Sequence, residues 1–424
     1  MPFSFIKKFN NNVLFKNTLI YTVLNILNNG IPFLLLPILT RYLTTQDYGI
    51  IATFNSFIVL VTVFVGLSMP GAIGVSFFQL NKLELKKYIN GVFIILCISS
   101  VSTLLLLNIF EPFIIEKLKL PTMWVYIAVL IAVMKTFTLT NLTLWRSNQE
   151  AKPFAIYELS QTLLNVGLSL YLIVFMQWGW EGRLWGSSIA FILFGIVSIF
   201  FIYKRGYVAA TYSVDYLKDA LKFGVELVPH QLALWMRSGV DILLITLLVG
   251  VSATGLYSVG FQFGMVIGIF AQAFNNAFSP YLYKQLQNST LEKRKQLVKF
   301  TYLYFIGILL FSILLSIFFI WLVPYFLGKD FHNVLEYIFY ISIAYAFHGM
   351  YLMVVNYIFY AKKNYLLSSV TITTSIIHVI LSYLFIHQFG AIGAAYASVI
   401  SYFLTFILVW YISARVVKMP WFGQ

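Results

Sequence analysis

Long apolar segments follow one another along almost the whole chain. A membrane-spanning helix needs about 20 mainly apolar residues. Twelve segments meet this condition, at 17–40, 47–70, 88–110, 121–144, 153–177, 183–203, 225–249, 254–278, 298–323, 333–360, 365–387 and 389–413. Charged residues make up 10% of the chain, whereas soluble chains carry about 25%. We therefore predict an all-α integral membrane protein with about 12 transmembrane helices.

Basic residues divide unevenly between the two ends of the predicted spans. With the N-terminus inside, 21 Lys and Arg fall on the cytoplasmic side and 5 on the other, while Lys135 and Arg237 inside spans complete the 28. Because Lys and Arg collect in cytoplasmic loops, we expect both termini in the cytoplasm. The same loops account for the net charge of +14, so no nucleic-acid surface is implied.

The two halves of the chain repeat weakly at one spacing. Matches occur at an offset of 206 or 207 residues, namely TQDYGII (45–51) with VSATGLY (251–257), which aligns Gly49 with Gly255, then Gln79-Leu80 with Gln285-Leu286, then LWGSSIA (184–190) with AIGAAYA (391–397). Three ordered matches indicate a duplication. Six spans per half give a parallel repeat about an axis along the membrane normal. We therefore predict two six-helix bundles, 1–207 and 208–424, with a transport path between them.

Two charged residues lie inside the seventh predicted span. Arg237 would lie about 18 Å along the helix, near mid-bilayer, and Asp241 follows at i+4 on the same face. An unpaired charge at that depth costs at least about 2.5–3.5 kcal/mol. Two interpretations fit. Either the residues form a structural ion pair, or they line a water-filled cavity where Arg237 attracts an anion and Asp241 holds Arg237 or couples transport to an ion.

Lys135 is the second buried cation that the sequence predicts. It lies in the fourth span, about ten residues from Arg146 at the cytoplasmic end. This separation is roughly 15 Å, beyond the reach of a lysine side chain, so we expect Lys135 to face the bundle interior. One cation in each half fits an anionic cargo. The alternative is that a helix-end carbonyl or Glu158 satisfies the lysine.

Further candidates lie near span ends and in the first span. Glu158 and Glu226 lie near the ends of spans five and seven, where desolvation favours proton exchange, although an interfacial position alone also explains them. Predicted gate or kink residues are Asn28, Asn29, Gly30, Pro32, Pro37, Pro70-Gly71 and Pro229. The alternative for the asparagines is that their amides only hold helices together. His230, His348 and His378 are interpreted as hydrogen-bonding links between helices rather than as proton relays.

Enzyme motifs are absent from the sequence. It contains no GxxxxGK[ST] nucleotide-binding sequence, no nucleophile elbow and no cluster of metal ligands. We therefore predict a transporter that has no cofactor or metal and is driven by a gradient of ions or cargo.

Four stretches carry a resemblance to a known family. They are NNGIPFLLLPILTRYLTTQDYGI (28–50), LKFGVELVPHQLALWMRSGVDILLI (221–245), TGLYSVGFQFG (254–264) and GAIGAAYASVISYF (390–403). With twelve spans in two halves, the chain resembles the multidrug/oligosaccharidyl-lipid/polysaccharide (MOP) exporter superfamily, and within it the Wzx-type O-antigen translocases. The family's seventh-span Asp falls on Asp241. The basic residue that often follows it is Ile242 here, which leaves Arg237, one turn earlier, as the candidate for that charge.

The resemblance implies a flippase of the bacterial inner membrane. Such a protein moves an undecaprenyl-pyrophosphate-linked oligosaccharide, an O-antigen or capsule repeat unit, from the cytoplasmic to the periplasmic leaflet by alternating access, with proton antiport as a candidate energy source. Its partners would be the lipid-linked oligosaccharide and other polysaccharide-assembly membrane proteins. One alternative is a multidrug or cation antiporter of the same superfamily, which would favour an acidic cavity. Another is a glycan polymerase or ligase, which would carry a sizeable external loop.

Overall fold

Helices make up nearly all of the structure. The computed structural model describes residues 13–208, 211–287 and 290–421, and within these ranges it contains no β-strand. The helices are α1 (Val13–Tyr42), α2 (Thr45–Gly66), α3 (Met69–Gln79), α4 (Lys82–Leu118), α5 (Thr122–Ser147), α6 (Ala151–Leu170), α7 (Gly179–Lys204), α8 (Val214–Ser238), α9 (Val240–Leu248), α10 (Val251–Gln287), α11 (Leu291–Phe326), α12 (Leu335–Tyr360), α13 (Asn364–Phe389) and α14 (Ile392–Val416). A π-helical turn at Tyr171–Phe175 extends α6, and a 3-10 turn at Lys329–Val334 precedes α12.

Ten of the described helical segments are long and apolar enough to cross a membrane, and the bent pair α8–α9 makes an eleventh. The first predicted span, 17–40, lies within α1, a helix of 30 residues whose Gly30–Tyr42 segment is apolar. The fold class predicted from the sequence, an all-α membrane protein with about 12 transmembrane helices, is confirmed.

Several helices are longer than the predicted spans. α4 and α10 each have 37 residues and α11 has 36, which corresponds to about 55 Å, well beyond the roughly 30 Å hydrocarbon core. The predicted connection 279–297 is therefore mostly helical. A capping box stabilises the polar start of α4. Asn81 Oδ1 accepts from the N–H groups of Leu83 and Glu84 at 3.0 Å, and Glu84 accepts from the Asn81 N–H at 3.1 Å. Hydropathy detects only the part of such a helix that lies in lipid.

A short helix follows α2 where the sequence predicts a connection. Leu67 and Ser68 have φ values of 42° and 54° and separate α2 from α3, so the break predicted at Pro70-Gly71 is found three residues earlier. Pro70 lies in the first turn of α3, where its missing N–H costs nothing. Met69 and Ile73 of α3 are buried, which explains why this Gly- and Pro-containing segment folds as a helix.

The chain divides into two compact units. Unit 1 comprises Met1–Pro32 and Thr53–Leu232, and unit 2 comprises Phe33–Ala52 and Ala233–Gln424. The divisions fall inside α1, α2 and α8, so each of these helices contributes to both units. The boundary between residues 207 and 208, which follows from the sequence repeat, stays a prediction.

The core of unit 1 lies among α3, α4, α5 and α7. Ile73, Ile89, Leu144 and Ile202 form one buried apolar cluster. The first eleven residues of α8, which the sequence assigns to a loop, also pack here. Ala220 is buried in the same cluster, because apolar residues recur at helical spacing on one face of this segment.

Glycines set the closest helix contacts of unit 2. Side chains added at Gly260 and Gly264 of α10 would overlap Tyr337 and Ile341 of α12, and one at Gly268 would lie 2.6 Å from Tyr345. These glycines recur every four residues and form one stripe on α10. Small residues in such a stripe allow membrane helices to approach closely and gain van der Waals contact.

The repeat predicted from Gly49 and Gly255 corresponds to a symmetric contact. A side chain at Gly49 would overlap the backbone of Val251, and one at Gly255 would overlap the backbone of Thr45. Thr45 and Val251 are themselves equivalent in the repeat. Gly49 of the first half therefore lies against Val251 of the second half, and Gly255 of the second half lies against Thr45 of the first. All four residues belong to unit 2.

A substitution in the glycine stripe tests its role in packing. Gly264→Ala should lower the stability of the protein by about 1–3 kcal/mol, because the added methyl group overlaps Ile341. Gly307→Ala on α11 is the matched control, since nothing lies within 4 Å of its added Cβ, and alanine favours a helix by up to about 1 kcal/mol over glycine. Thermal unfolding in detergent measures both. Equal stability of Gly264→Ala and the wild type would contradict the close packing.

Candidate functional site

The seventh predicted span is two helices rather than one. α8 ends at Ser238 and α9 begins at Val240, with a bend of 55° between them. Sharp bends in helices occur at Pro or at Gly/Ser pairs, and here the bend lies at Ser238-Gly239. α8 contains Pro229 in its interior, and the kink predicted at Pro229 stays a prediction. The chain turns sharply at buried Gly239, where no side chain obstructs the change of direction.

The bend separates Arg237 from Asp241. Arg237 lies in the last turn of α8 and Asp241 in the first turn of α9, so the two no longer share one helical face. Among the ion pairs of the described residues, none joins them. The predicted i,i+4 ion pair is therefore not formed, because that spacing brings side chains together only on an unbroken helix.

Asp241 is held by donors from three other helices. Its side chain is buried, with 4% of the residue exposed. Oδ1 accepts from Ser382 of α13 at 2.6 Å, and Oδ2 accepts from Tyr257 of α10 at 3.0 Å and from Ser398 of α14 at 3.4 Å. Hydrogen bonds to an ionised carboxylate are short and strong. They offset the cost of removing Asp241 from water and tie α9 to α10, α13 and α14.

His378 completes this cluster. Its Nε2 lies 3.2 Å from Asp241 Oδ1, although the N–H does not align with that oxygen as a hydrogen bond, and its Nδ1 lies 3.1 Å from Ser401 Oγ. The imidazole is fully buried. An ion pair with Asp241 forms when His378 is protonated. The sequence predicts only that His378 links helices, because no local pattern relates two residues 137 positions apart.

Arg237 has hydroxyl and aromatic partners, and no carboxylate of the described residues forms an ion pair with it. Its Nη2 donates to Thr374 Oγ1 at 3.3 Å and to Thr405 Oγ1, and its guanidinium lies 4.9 Å from the centre of the Tyr402 ring. Hydroxyl dipoles and a π-face stabilise a cation without neutralising it. Arg237 therefore keeps its full positive charge inside unit 2.

Polar atoms without partners surround this arginine. Arg237 Nε, His348 Nδ1 and Ser375 Oγ are buried and make no hydrogen bond to any described residue. His348 packs 5.5 Å from the ring of Tyr402, and Ser375 follows Thr374, a partner of Arg237. Since more than about 90% of buried polar groups in proteins are bonded, these atoms indicate a region that takes up water or a polar ligand.

Lys135 is the corresponding cation of unit 1. Its amino group lies 4.9 Å from the centre of the Phe191 ring on α7, and no hydrogen bond or ion pair to it occurs among the described residues. That Lys135 faces the bundle interior stays a prediction. The alternative partner, Glu158, instead accepts a hydrogen bond from Asn28 at 3.2 Å.

The polar first span makes a local network. Thr162 Oγ1 donates to Asn28 Oδ1 at 3.0 Å, so Asn28 joins α1 to Thr162 and Glu158 of α6. α1 remains helical through Gly30, Pro32 and Pro37, and Pro32 is the last residue of its unit 1 part. The gate role predicted for these residues stays a prediction. The side chain of Asn29 lies outside the described residues, and that of Glu226 is exposed on α8.

The fold is shared with solved membrane transport proteins. An inward-facing multidrug resistance MATE family transporter of the MOP superfamily aligns with a TM-score of 0.67 at 14% identity, covering 95% of this chain and 96% of that one. The lipid II flippase MurJ, in an inward closed conformation, aligns with a TM-score of 0.69 at 15% identity, covering 95% and 87%. The chain is thus a multi-pass, all-α membrane protein that shares its fold with these two proteins.

Sequence comparison then defines the family. Residues 14–286 match the model of the polysaccharide biosynthesis protein family, and the chain belongs to that family. The Lsg locus protein 1 of Haemophilus influenzae is 26% identical over 377 residues, which cover 86% of this chain and 89% of that protein.

Removal of the buried carboxylate tests its structural contribution. Asp241→Ala should destabilise the protein by about 1–3 kcal/mol, because Ser382 and Tyr257 lose their acceptor in a buried site. Glu226→Ala removes an exposed carboxylate from α8 and should leave the unfolding temperature within error of the wild type. Thermal unfolding in one detergent compares them, and similar unfolding temperatures for the two variants would contradict the described network.

Proposed function

We propose that the protein is a flippase that moves a lipid-linked oligosaccharide from the cytoplasmic to the outer leaflet of the bacterial inner membrane by alternating access. Membership of the polysaccharide biosynthesis family supports this function, as does a fold shared with a protein described as a lipid II flippase. The observation that carries the proposal is Arg237, a cation without a carboxylate partner in the interior of unit 2.

The chemistry of the cargo matches this arginine. An undecaprenyl-pyrophosphate head group carries several negative charges, and the planar guanidinium binds phosphate oxygens through paired N–H donors. Arg237 keeps an unpartnered Nε for such a bond. In unit 1, Lys135 adds a compact ammonium charge that no described carboxylate neutralises. We propose that each cation recognises a phosphate of the cargo.

The charge balance disfavours the multidrug alternative. A cavity for cationic drugs needs carboxylates that are exposed to the drug. Asp241 is the one carboxylate among the buried residues of the described chain. Four side chains surround it, so it is not exposed in this way. The polymerase alternative lacks space. The connections between described helices on the predicted external side are short: two residues between α1 and α2, three between α4 and α5, and eight, including the 3-10 turn at Lys329–Val334, between α11 and α12.

We further propose that Asp241 and His378 couple transport to protons. A carboxylate and an imidazole 3.2 Å apart in a dry environment respond strongly to one added proton, because charges interact strongly at low dielectric. A proton taken up by this pair changes the charge close to the α8–α9 bend, and hence near Arg237.

The uneven division of basic residues supports cytoplasmic termini.

Charge-removing variants test the cargo site. Arg237→Ala and Lys135→Ala should each reduce surface glycan by at least about tenfold, since a lost charge-assisted hydrogen bond corresponds to about 1.5–3 kcal/mol. Arg237→Lys and Lys135→Arg should retain part of the activity because they keep the charge. Lys329→Ala removes an exposed lysine and is the matched control. Surface glycan is measured against protein abundance in the membrane. Wild-type export by both alanine variants would contradict the proposal.

Proton coupling is tested separately in vesicles. Reconstituted wild-type protein should move lipid-linked oligosaccharide faster under an imposed pH gradient. Asp241→Asn should abolish this response while leaving residual flipping, because an amide does not bind the proton. Glu226→Gln, which changes an exposed carboxylate, should respond like the wild type. If wild-type transport ignores the gradient, coupling is excluded and the flippase proposal stands.

A further inference from the structure

An apolar pocket lies on unit 1, and Lys135 is not among its lining residues. Its volume is about 700 Å³, and α5, α6 and α7 form its walls. Ile156, Phe194, Val197 and Phe201 contribute apolar surface, and Lys204 and Arg205 lie at one end. This size is within the range of about 300–1,000 Å³ that is typical of ligand sites. A pocket with apolar walls and a basic end matches a molecule with a hydrocarbon tail and an anionic head.

Arg205 is fixed in place with one donor unused. Its Nη2 donates to Asn141 Oδ1 and its Nε to the Phe201 carbonyl at 3.3 Å. The guanidinium lies 4.8 Å from the Trp145 ring and 5.3 Å from the Tyr207 ring. The remaining nitrogen, Nη1, is buried and has no partner among the described residues. A rigid arginine with a buried, unsatisfied N–H group is a ready site for an anion.

Burial makes the positive charge of Arg205 energetically unfavourable. It lowers the pKa of the Arg205 guanidinium from its ordinary value, because the charged form loses solvation. Arginine stays protonated in proteins, and the carboxylate of Glu150 offsets only part of this cost by Coulombic attraction. No described carboxylate lies at ion-pair distance from Arg205. Glu150 and the negative end of the α7 dipole, equivalent to about half a charge, both oppose an anion here, but the two full charges of Lys204 and Arg205 outweigh them.

The position of the pocket identifies the source of the anion. Ile156 is 58% exposed, so this wall reaches the outer surface of a chain that lies in lipid. Lys204 is the last residue of α7 and Arg205 follows it, at the end of the span that the distribution of Lys and Arg places at the cytoplasmic interface. Lipid phosphates lie at that depth, and their acyl chains extend toward the apolar walls. Basic pockets between membrane helices bind lipid head groups in this way.

We propose that this pocket binds an anionic phospholipid of the surrounding membrane, with its phosphate at Arg205 and Lys204 and an acyl chain along Ile156, Phe194 and Phe201. The site is independent of the proposed cargo cations Arg237 and Lys135. Its ligand stays in its leaflet as a resident lipid and is not transported.

Native mass spectrometry and thermal unfolding of the purified full-length protein test this site. Phosphatidylglycerol should be retained in preference to phosphatidylcholine and should raise the unfolding temperature. Arg205→Gln should weaken phosphatidylglycerol binding by about tenfold or more, as expected for a lost charge-assisted bond. Arg415→Gln is the matched control, because Arg415 also stacks on an aromatic ring, at 4.4 Å, near a helix end but is exposed. It should bind lipid like the wild type.

Two further arms keep the test decisive if Arg205→Gln folds poorly. Lys204→Gln changes an exposed residue, and Ile156→Trp fills the pocket from its exposed wall; both should weaken binding of phosphatidylglycerol. Inorganic phosphate and a polyprenyl pyrophosphate are added as competing ligands. Equal retention of the two phospholipids by the wild type, or full binding by folded Arg205→Gln and Ile156→Trp, would overturn the proposal. The proposal would also be overturned if free phosphate stabilised the protein as much as phosphatidylglycerol does, or if polyprenyl pyrophosphate bound and phosphatidylglycerol did not.

Discussion

The carboxylate of Asp241 lies where four helices of unit 2 meet. It accepts hydrogen bonds from α10, α13 and α14, and His378 lies beside it. In a membrane protein the hydrophobic effect contributes little to helix association, because lipid is as apolar as the helix surfaces. Directional bonds to one buried charge therefore set how these helices pack. The bend at Gly239 is part of the same arrangement, since it places Asp241 in the first turn of α9, where the helix dipole favours a carboxylate.

The buried acid and the two interior bases have different kinds of partner. Asp241 is surrounded by donors and is satisfied within the protein. Arg237 and Lys135 contact aromatic rings and, for Arg237, hydroxyls, which leaves both positive. Retaining such groups inside a membrane is costly. Neither base has a carboxylate partner among the described residues, and this asymmetry is the physical basis for proposing a cargo that brings its own negative charge.

The sequence alone predicted the class of fold. Hydropathy located the spans because each depends on about 20 neighbouring residues. The repeat aligned Gly49 with Gly255, but only the structure shows that these two glycines meet. Helix ends were less predictable. α4, α10 and α11 continue through polar segments, and α3 was assigned to a connection, because capping and local burial act outside the lipid-facing part of a helix.

What the sequence determined by itself is that this chain spans a membrane many times and carries Arg237, Asp241 and Lys135 inside apolar segments, since composition and local order suffice for both statements. Only the tertiary structure decided which groups these charges meet. A break at Gly239 separates Arg237 from Asp241, and the partners Thr405, Ser382 and His378 come from helices more than 130 residues away. The reason is that charge pairing depends on distance through space, and helix packing rather than sequence spacing sets that distance.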